Sequence, residues 1–222
     1  MVTGPRRSAG PSRNEEEQVS IRLLVASGLC AFAAVFVVAP PVQAQRLSLS
    51  PTIGVYIPTS ELVKAANGEE FKQEVGLAVG GRLGLTLSPR FGIETSVSYV
   101  PSDLRFTFDE SETKTDANLL FGTARATLHV IPFTQPVWFS VNGGVSLVNR
   151  GGAAYENATD KTDVGGVVGA TLGFRLGSML NFYVAAEDYI YGTNVGEIGL
   201  GDETRTQNDV QVMLGFGFPV GR

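Results

Sequence analysis

Hydrophobic and polar residues alternate along most of the chain from residue 46 onward. The clearest example covers residues 75–88, VGLAVGGRLGLTLS. Its apolar positions are Val75, Leu77, Val79, Leu83, Leu85 and Leu87, and the positions between them are glycine, alanine, serine, threonine and one arginine. A repeat of two residues is typical of a β-strand with one apolar face.

Eight runs of this kind follow one another. They begin near residues 46, 75, 91, 119, 137, 164, 182 and 210. Each has about ten residues, which is the length that a tilted strand needs to cross the hydrocarbon core of a membrane. After residue 44, no apolar stretch of the sequence is long enough for a spanning helix. The pattern predicts an all-β protein with eight antiparallel strands.

The segments between these predicted strands alternate in length. Long connections cover residues 59–74, 101–117, 150–163 and 192–207, and short ones cover residues 88–90, 132–136 and 177–181. Up-and-down barrels of outer membranes have short periplasmic turns and longer outer loops. The lengths therefore predict an eight-stranded up-and-down transmembrane β-barrel with both ends at the periplasmic side.

The composition of the second face indicates where the apolar face points. In a soluble barrel the face away from the core meets water and carries charged side chains. Here that face consists mainly of small residues, and charged residues make up 18% of the chain, against about 25% in soluble proteins. We interpret the apolar face as lipid-facing and the small-residue face as lumenal; a soluble lipocalin-type barrel is the alternative.

Aromatic residues on the apolar face lie close to the short connections. They are Phe91, Phe139, Phe174, Phe182, Phe216 and Phe218. Outer-membrane barrels carry aromatic girdles where the membrane meets water. These six residues are therefore the predicted periplasmic girdle.

The N-terminal part of the chain has the features of an export signal. Residues 21–39, IRLLVASGLCAFAAVFVVA, form an apolar run that Pro40, Pro41 and small residues follow. This order is typical of a secretory signal peptide, with cleavage after Ala44. A spanning helix is the alternative, because the run exceeds the usual 7 to 15 residues or so of a signal. We divide the chain into an N-terminal extension and signal, residues 1–44, and a barrel domain, residues 45–222.

Charge and cysteine content exclude several other classes. The net charge is −5, so the chain has no basic surface to neutralise the phosphates of a nucleic acid. The single cysteine, Cys30, lies inside the predicted signal, so neither a disulfide framework nor a thiolate metal site can form. We expect no cofactor and no metal.

The signal, the eight alternating runs and the alternating connections together resemble the small outer-membrane β-barrel family of OmpX, the membrane domain of OmpA and OmpW. The resemblance covers residues 46–218. It implies a monomer in the outer membrane of a Gram-negative-type bacterium, in contact with lipid and lipopolysaccharide and inserted by the barrel assembly machinery. It implies a structural or surface-interaction role. A lipid-A-modifying barrel enzyme and a narrow channel for small solutes are the alternatives.

Two residues disturb the strand pattern. Pro51 lies inside the first run, where it cannot donate a ladder hydrogen bond, so a bulge or a late start of the strand is expected. Asp188 would face lipid if the alternation in YVAAEDYIY continued. A slip or bulge is expected there, because a charge facing lipid is costly.

Candidate catalytic chemistry is sparse. His129 is the only histidine and lies near a short connection. A catalytic base needs an activated nucleophile nearby, and none is evident, so a structural role at the interface or in the lumen is expected. The acidic segment of residues 109–116, DESETKTD, lacks the spacing and central glycine of a calcium loop, and we interpret it as a solvated loop. The chain is not expected to be an enzyme.

Four charged residues fall on the small-residue face at similar distances from the short connections. They are Arg82, Glu94, Arg125 and Glu187. The interior of an eight-stranded barrel is just wide enough for side chains to fill it. The sequence therefore predicts a lumenal cluster of two acids and two arginines that closes the barrel, with Arg82 as the diagonal neighbour of Glu94.

We expect the signal to be removed between Ala44 and Gln45, because small residues after the prolines suit the signal peptidase. N-terminal sequencing of the protein recovered from outer membranes tests this. Recovery of the intact chain of 222 residues would contradict the signal interpretation.

Overall fold

The computed structural model describes residues 46–60, 63–64, 70–108, 111–156, 158, 161–177, 180–194 and 204–220. The predicted signal and its cleavage site lie outside the described residues. Besides strands, the described part contains a short 3-10 helix, Ala153–Tyr155. None of its helices is long and apolar enough to cross a membrane.

Eight strands form a closed antiparallel barrel, as the sequence predicted. Numbered together with four shorter strands in chain order, they are β1 (Arg46–Pro58), β4 (Gly76–Thr86), β5 (Phe91–Val100), β8 (Asn118–Ile131), β9 (Val137–Gly151), β10 (Thr162–Arg175), β11 (Asn181–Asn194) and β12 (Thr204–Val220). Around the barrel the order is β1-β12-β11-β10-β9-β8-β5-β4, so pairing of β1 with β12 and with β4 closes the ring.

The connections alternate between short and long. The short ones join β4 to β5, β8 to β9 and β10 to β11, and the long ones join β1 to β4, β5 to β8, β9 to β10 and β11 to β12. All short turns lie at one end of an up-and-down barrel and all long loops at the other. We name these the short-turn end and the long-loop end.

Parts of two long connections form a second sheet beyond the barrel strands. Its strands are β2 (Val63–Lys64), β3 (Glu70–Gln73), β6 (Asp103–Phe108) and β7 (Ser111–Asp116), in the order β2-β3-β6-β7. The interpretation of residues 109–116 as a solvated loop was wrong for residues 111–116. They pair with β6 from Asp103↔Asp116 to Phe108↔Ser111, and this ladder satisfies backbone groups that a loop would leave to water.

An ion pair network joins this sheet to the start of the barrel. The Glu74 carboxylate accepts hydrogen bonds from Arg105 Nε at 2.8 Å and from Lys114 Nζ at 2.9 Å. The hydrogen bond from Lys114, which has the largest effect, and the one from Arg105 hold the pKa of Glu74 below its usual value. The β6–β7 hairpin is thus fixed to the segment that leads into β4.

The bulge or late strand start expected at Pro51 does not occur. The register between β1 and β12 is the same on both sides of the proline, Leu49↔Phe218 before it and Thr52↔Gly215 after it. Ser50 and Pro51 lack partners in β12, while both keep their partners in β4. The missing donor therefore interrupts one ladder without shifting the strand.

The expected slip at Asp188 does not occur either. Asp188 lies on the outward face between Val168 and Val210, and the ladders to β10 and β12 keep one register along β11. The physical reason is the preceding residue: Glu187 is 3% exposed and points into the lumen, so its neighbour must point outward. A slip of one residue would turn Asp188 into the lumen and Glu187 to the outward face. The register does shift elsewhere, between His129 and Ile131 in β8.

The outward face is mainly apolar on all eight strands. One exposed example from each strand in chain order is Leu49, Leu77, Val97, Leu120, Val145, Val164, Ile190 and Leu214. The six phenylalanines of the predicted girdle lie on this face near the short turns, and Phe182 packs against Phe174 and Phe216, with ring centroids 6.5 and 5.4 Å apart. This belt is the surface that lipid would cover.

We expect Leu83→Arg to impair insertion, because a lipid-facing arginine near mid-membrane costs about 2–4 kcal/mol. Leu87→Arg is the matched control. Both leucines are 39% exposed, but Leu87 lies beyond the end of β4, at the short turn, where the cost falls to about 0–1 kcal/mol. Folding yield and unfolding free energy in lipid bilayers measure the difference. Equal values for the two variants would contradict a lipid-facing belt.

Candidate functional site

The structure brings the four predicted lumenal charges together. Arg82 on β4 lies 3.3 Å from Glu94 on β5 and 2.5 Å from Glu187 on β11. Arg125 on β8 lies 2.7 Å from Glu94 and also pairs with Glu187. Each arginine therefore contacts both acids, and we call these four residues the charge cluster.

The register explains why these side chains meet. Glu94 lies directly opposite Arg125 on β8 and opposite Gly84 on β4, which makes Arg82 its diagonal neighbour. Glu187 comes from the far wall: β11 is three strands from β4 and three from β8 around the ring. Its carboxylate therefore reaches across the lumen to both arginines.

The charge cluster is almost fully removed from solvent. The side chains of Arg125, Glu187 and Arg82 are 0%, 2% and 4% exposed, whereas that of Glu94 is 19% exposed. Isolated charges could not be buried in this way, because desolvation of each ion costs several kcal/mol. Here the positive charges of two arginines balance the negative charges of two carboxylates. In addition, Tyr189 Oη donates a 2.9 Å hydrogen bond to Glu187.

A layer of aromatic and aliphatic side chains fills the lumen on the long-loop side of the charge cluster. The Phe121 ring lies 4.8 Å from that of Tyr189 and 5.8 Å from that of Tyr56. Val100, Leu119, Val148, Val167 and Met213 are buried in the same layer. The lumenal face is thus less uniformly small and polar than the sequence indicated, because large inward rings occupy the space that the small residues leave.

A second polar cluster lies beyond the aromatic layer, and the sequence analysis missed it. Arg150 pairs with Asp163 and donates a 2.7 Å hydrogen bond to Thr193, which in turn donates to Asp163 at 3.1 Å. Tyr191 donates to Asp209. We call these residues the outer cluster. Arg150, Asp163 and Thr193 fall in segments that the sequence predicts as connections, although the inward alternation of β9 continues as far as Arg150.

Tyr155 covers the outer cluster from the long-loop end. Its hydroxyl donates to Gln73 Oε1 at 3.0 Å, and Gln73 donates to the Ala117 carbonyl at 2.7 Å. The Arg150 guanidinium lies 5.9 Å from the Tyr155 ring centroid, within cation–π range. Side chains from the 3-10 helix and from β3 therefore continue the filling of the barrel beyond its strands.

His129 lies in the lumen at the short-turn end. It is 6% exposed, and its ring centroid is 5.5 Å from that of Phe133 and 5.7 Å from that of Trp138. Its Nδ1 has no hydrogen-bond partner among the described residues. Among all the residues that the structure describes, no group of three or more His, Cys, Asp or Glu residues could hold a metal ion.

Solved structures of small outer-membrane barrels share this architecture. The chain is similar to the outer membrane protein OprG from Pseudomonas aeruginosa, with 15% sequence identity and a TM-score of 0.56 over 81% of this chain and 97% of that chain. It is also similar to E. coli outer membrane protein W, with 12% identity and a TM-score of 0.50 over 80% of this chain and 98% of that chain. No family model matches the sequence, and no curated protein matches it.

The comparisons and the barrel topology define the class of fold. This chain has the fold of the small outer-membrane β-barrels, and the resemblance drawn from its sequence is confirmed at that level. Charged, aromatic and polar layers of side chains succeed one another along the described part of its lumen.

We expect Glu187→Gln to lower the unfolding free energy by about 3–5 kcal/mol, because it leaves two buried arginines undercompensated. Glu94→Gln should cost less, since the Glu94 side chain is partly exposed. Glu156→Gln, at an exposed residue after the 3-10 helix, is the control and should change stability by no more than about 0.5 kcal/mol. Urea unfolding in bilayers measures all three. A loss for Glu187→Gln no larger than for the control would contradict the cluster's structural role.

Proposed function

We propose that this chain is an integral outer-membrane protein with a structural or surface-interaction role, and that its lumen is closed. The outward apolar belt and the girdle of phenylalanines support the membrane location. By the rule that periplasmic turns are short, the short-turn end faces the periplasm and the long-loop end faces the cell surface.

The observation that carries the proposal is the filled lumen. Phe121, Tyr56 and Tyr189 pack between the charge cluster and the outer cluster. The lumenal cavities on either side of this layer measure about 60 and 10 Å³. A channel for small solutes, the alternative, needs a continuous path, and these side chains occupy it.

The position of His129 argues against a lipid-A-modifying enzyme. Lipid A lies in the outer leaflet, whereas His129 lies near the short turns that would face the periplasm. Its neighbours there are aromatic rings. A catalytic base needs a partner that orients it, and His129 Nδ1 has no such partner among the described residues. We therefore propose that the chain is not an enzyme.

The sheet at the long-loop end supports a surface role. The side chains of Arg105 and Lys114 are 41% and 49% exposed, and both lie on the β6–β7 hairpin that Glu74 fixes in place. Exposed cations near a membrane surface attract anionic head groups. We propose that this hairpin contacts the phosphates of lipopolysaccharide.

The closed lumen predicts no steady conductance from the wild type in planar bilayers. Phe121→Ala combined with Glu187→Ala should produce measurable conductance, because it removes both the ring that Tyr56 and Tyr189 pack against and the carboxylate that crosses the lumen. Leu120→Ala, which shortens the adjacent outward side chain, is the control and should stay silent. A large, stable wild-type conductance would contradict closure and favour the channel.

The surface role predicts that replacing both Arg105 and Lys114 by alanine weakens binding to lipopolysaccharide vesicles by roughly 30-fold, since each cation near an anionic surface contributes about 1 kcal/mol and a tenfold change in affinity corresponds to about 1.4 kcal/mol. Arg90→Ala, which removes a cation at the short-turn end, should leave binding unchanged. Surface plasmon resonance on the folded barrel measures both. Equal affinity for the double variant and the wild type would contradict contact through the hairpin.

A further inference from the structure

A groove on the outward face of the barrel lies near the short-turn end, where β8 and β9 pair. It has a volume of about 260 Å³, and its lining includes Phe91, Ala126, Leu128, Val141 and Gly143. A single water needs roughly 10–15 Å³ of such space, so the groove has room for a segment of a hydrocarbon chain. The groove is thus a shaped part of the belt that lipid would cover.

The register of the strands explains the shape of this groove. Phe91, Leu128 and Val141 lie side by side on β5, β8 and β9 and form one wall. One row further toward the long-loop end, Ala126 lies opposite Gly143, and these two small residues form the floor. A Cβ at Gly143 would come no closer than 3.7 Å to the nearest backbone oxygen of β10, which is ordinary contact. Packing within the barrel therefore does not require glycine there, and its effect is to leave the groove open.

A cation lies at the short-turn end of this groove. Arg90 precedes Phe91 in the tight turn from β4 to β5, and its Nη1 lies 3.5 Å from the Val130 carbonyl oxygen on β8. The guanidinium is therefore next to the strand that supplies part of the groove floor. Ser88 Oγ accepts hydrogen bonds from the backbone N–H groups of Arg90 and Phe91, at 3.3 and 3.0 Å, and so fixes the turn.

The charge of Arg90 is not balanced within the described part of the chain. Arg90 is exposed, and none of the ion pairs among the described residues includes it. The short connections, residues 88–90, 132–136 and 177–181, contain no Asp or Glu. The carboxylate of Glu94 is engaged inside the lumen by Arg82 and Arg125. An anionic group at the short-turn end of the groove would therefore meet an arginine without a counter-charge.

We propose that Arg90 and the groove form a binding site for one phospholipid with an anionic head group. The lipid phosphate pairs with the Arg90 guanidinium, and one acyl chain lies in the groove against Ala126 and Gly143. The spacing fits such a ligand. Ile93 pairs with Ala126 and lies three residues from Arg90, so the cation is about 10 Å from the floor at roughly 3.3 Å per residue. The glycerol and ester groups of the lipid span this interval and pass the ring of Phe91.

The proposal rests on the membrane location of the barrel but not on its surface role. The groove opens to the leaflet around the short turns, whereas the hairpin with Arg105 and Lys114 lies at the long-loop end. Vesicles that bind the hairpin therefore do not reach the groove. The site needs both parts of its ligand: soluble glycerol 3-phosphate lacks the chain, and phosphatidylcholine has a head group of zero net charge.

A lipid titration tests this selection. The ¹⁵N-labelled barrel is placed in phosphatidylcholine nanodiscs, and the amide signal of Gly143 is followed as phosphatidylglycerol with the same acyl chains replaces part of that lipid. We expect about fivefold preference for phosphatidylglycerol, the effect of one cation on an anionic lipid, so the shift saturates with a midpoint near a mole fraction of about one sixth. Soluble glycerol 3-phosphate should produce no shift.

Two results of this titration would overturn the site. They are a linear change with lipid composition, which means equal affinity for the two lipids, and a shift caused by glycerol 3-phosphate. Either result in a folded barrel would leave the membrane location intact. A barrel that does not fold in lipid would contradict the membrane location together with the site.

Two pairs of variants test the residue assignment. Arg90→Gln should remove the preference for phosphatidylglycerol, whereas Arg46→Gln, which removes another exposed arginine from the short-turn end, should keep it. Ala126→Phe fills the groove and should abolish the saturable shift. Ala186→Phe places the same ring at an exposed outward alanine of β11 and should retain the shift. Equal losses within either pair, or wild-type preference in Arg90→Gln or Ala126→Phe, would show that the lipid does not occupy this site.

Discussion

The interior of this barrel depends on the contact of one carboxylate, Glu187, with two arginines across the lumen. Arg82 and Arg125 stand on strands that lie three positions away on either side of β11, so the contact joins separate parts of the wall. It requires Glu187 to point inward, which fixes the register of β11 and turns Asp188 outward. A lipid-facing carboxylate is thus the consequence of an interior ion pair.

The layers above and below follow from that contact. The Tyr189 hydroxyl binds Glu187, and the Tyr189 ring packs on Phe121, so the charge cluster and the aromatic layer share a residue. Beyond this layer the lumen becomes polar again at Arg150 and Asp163. On the other side, the matched charges leave a neutral polar cavity near the short turns.

Sequence alternation was sufficient to predict the eight strands and the inward direction of the four clustered charges. It did not reveal the outer cluster, because Arg150 and Asp163 lie at strand ends, where turn residues and strand residues look alike. It also wrongly predicted a bulge or late start at Pro51 and a slip at Asp188, because it considered only the lost hydrogen bond of the proline and the cost of a carboxylate that faces lipid. In the barrel, the ladder from β1 to β4 outweighs the first cost and the contacts of Glu187 outweigh the second.

A double-mutant cycle between Arg125 and Glu187 tests the central claim most directly. Unfolding free energies in bilayers are measured for the wild type, Arg125→Met, Glu187→Gln and the double variant. We predict a coupling energy of about 2 kcal/mol or more, because the two charges are in contact and buried. A parallel cycle between Arg150 and Glu187, which belong to different clusters, should be additive within about 0.5 kcal/mol. A coupling near zero for Arg125 and Glu187 would contradict the account.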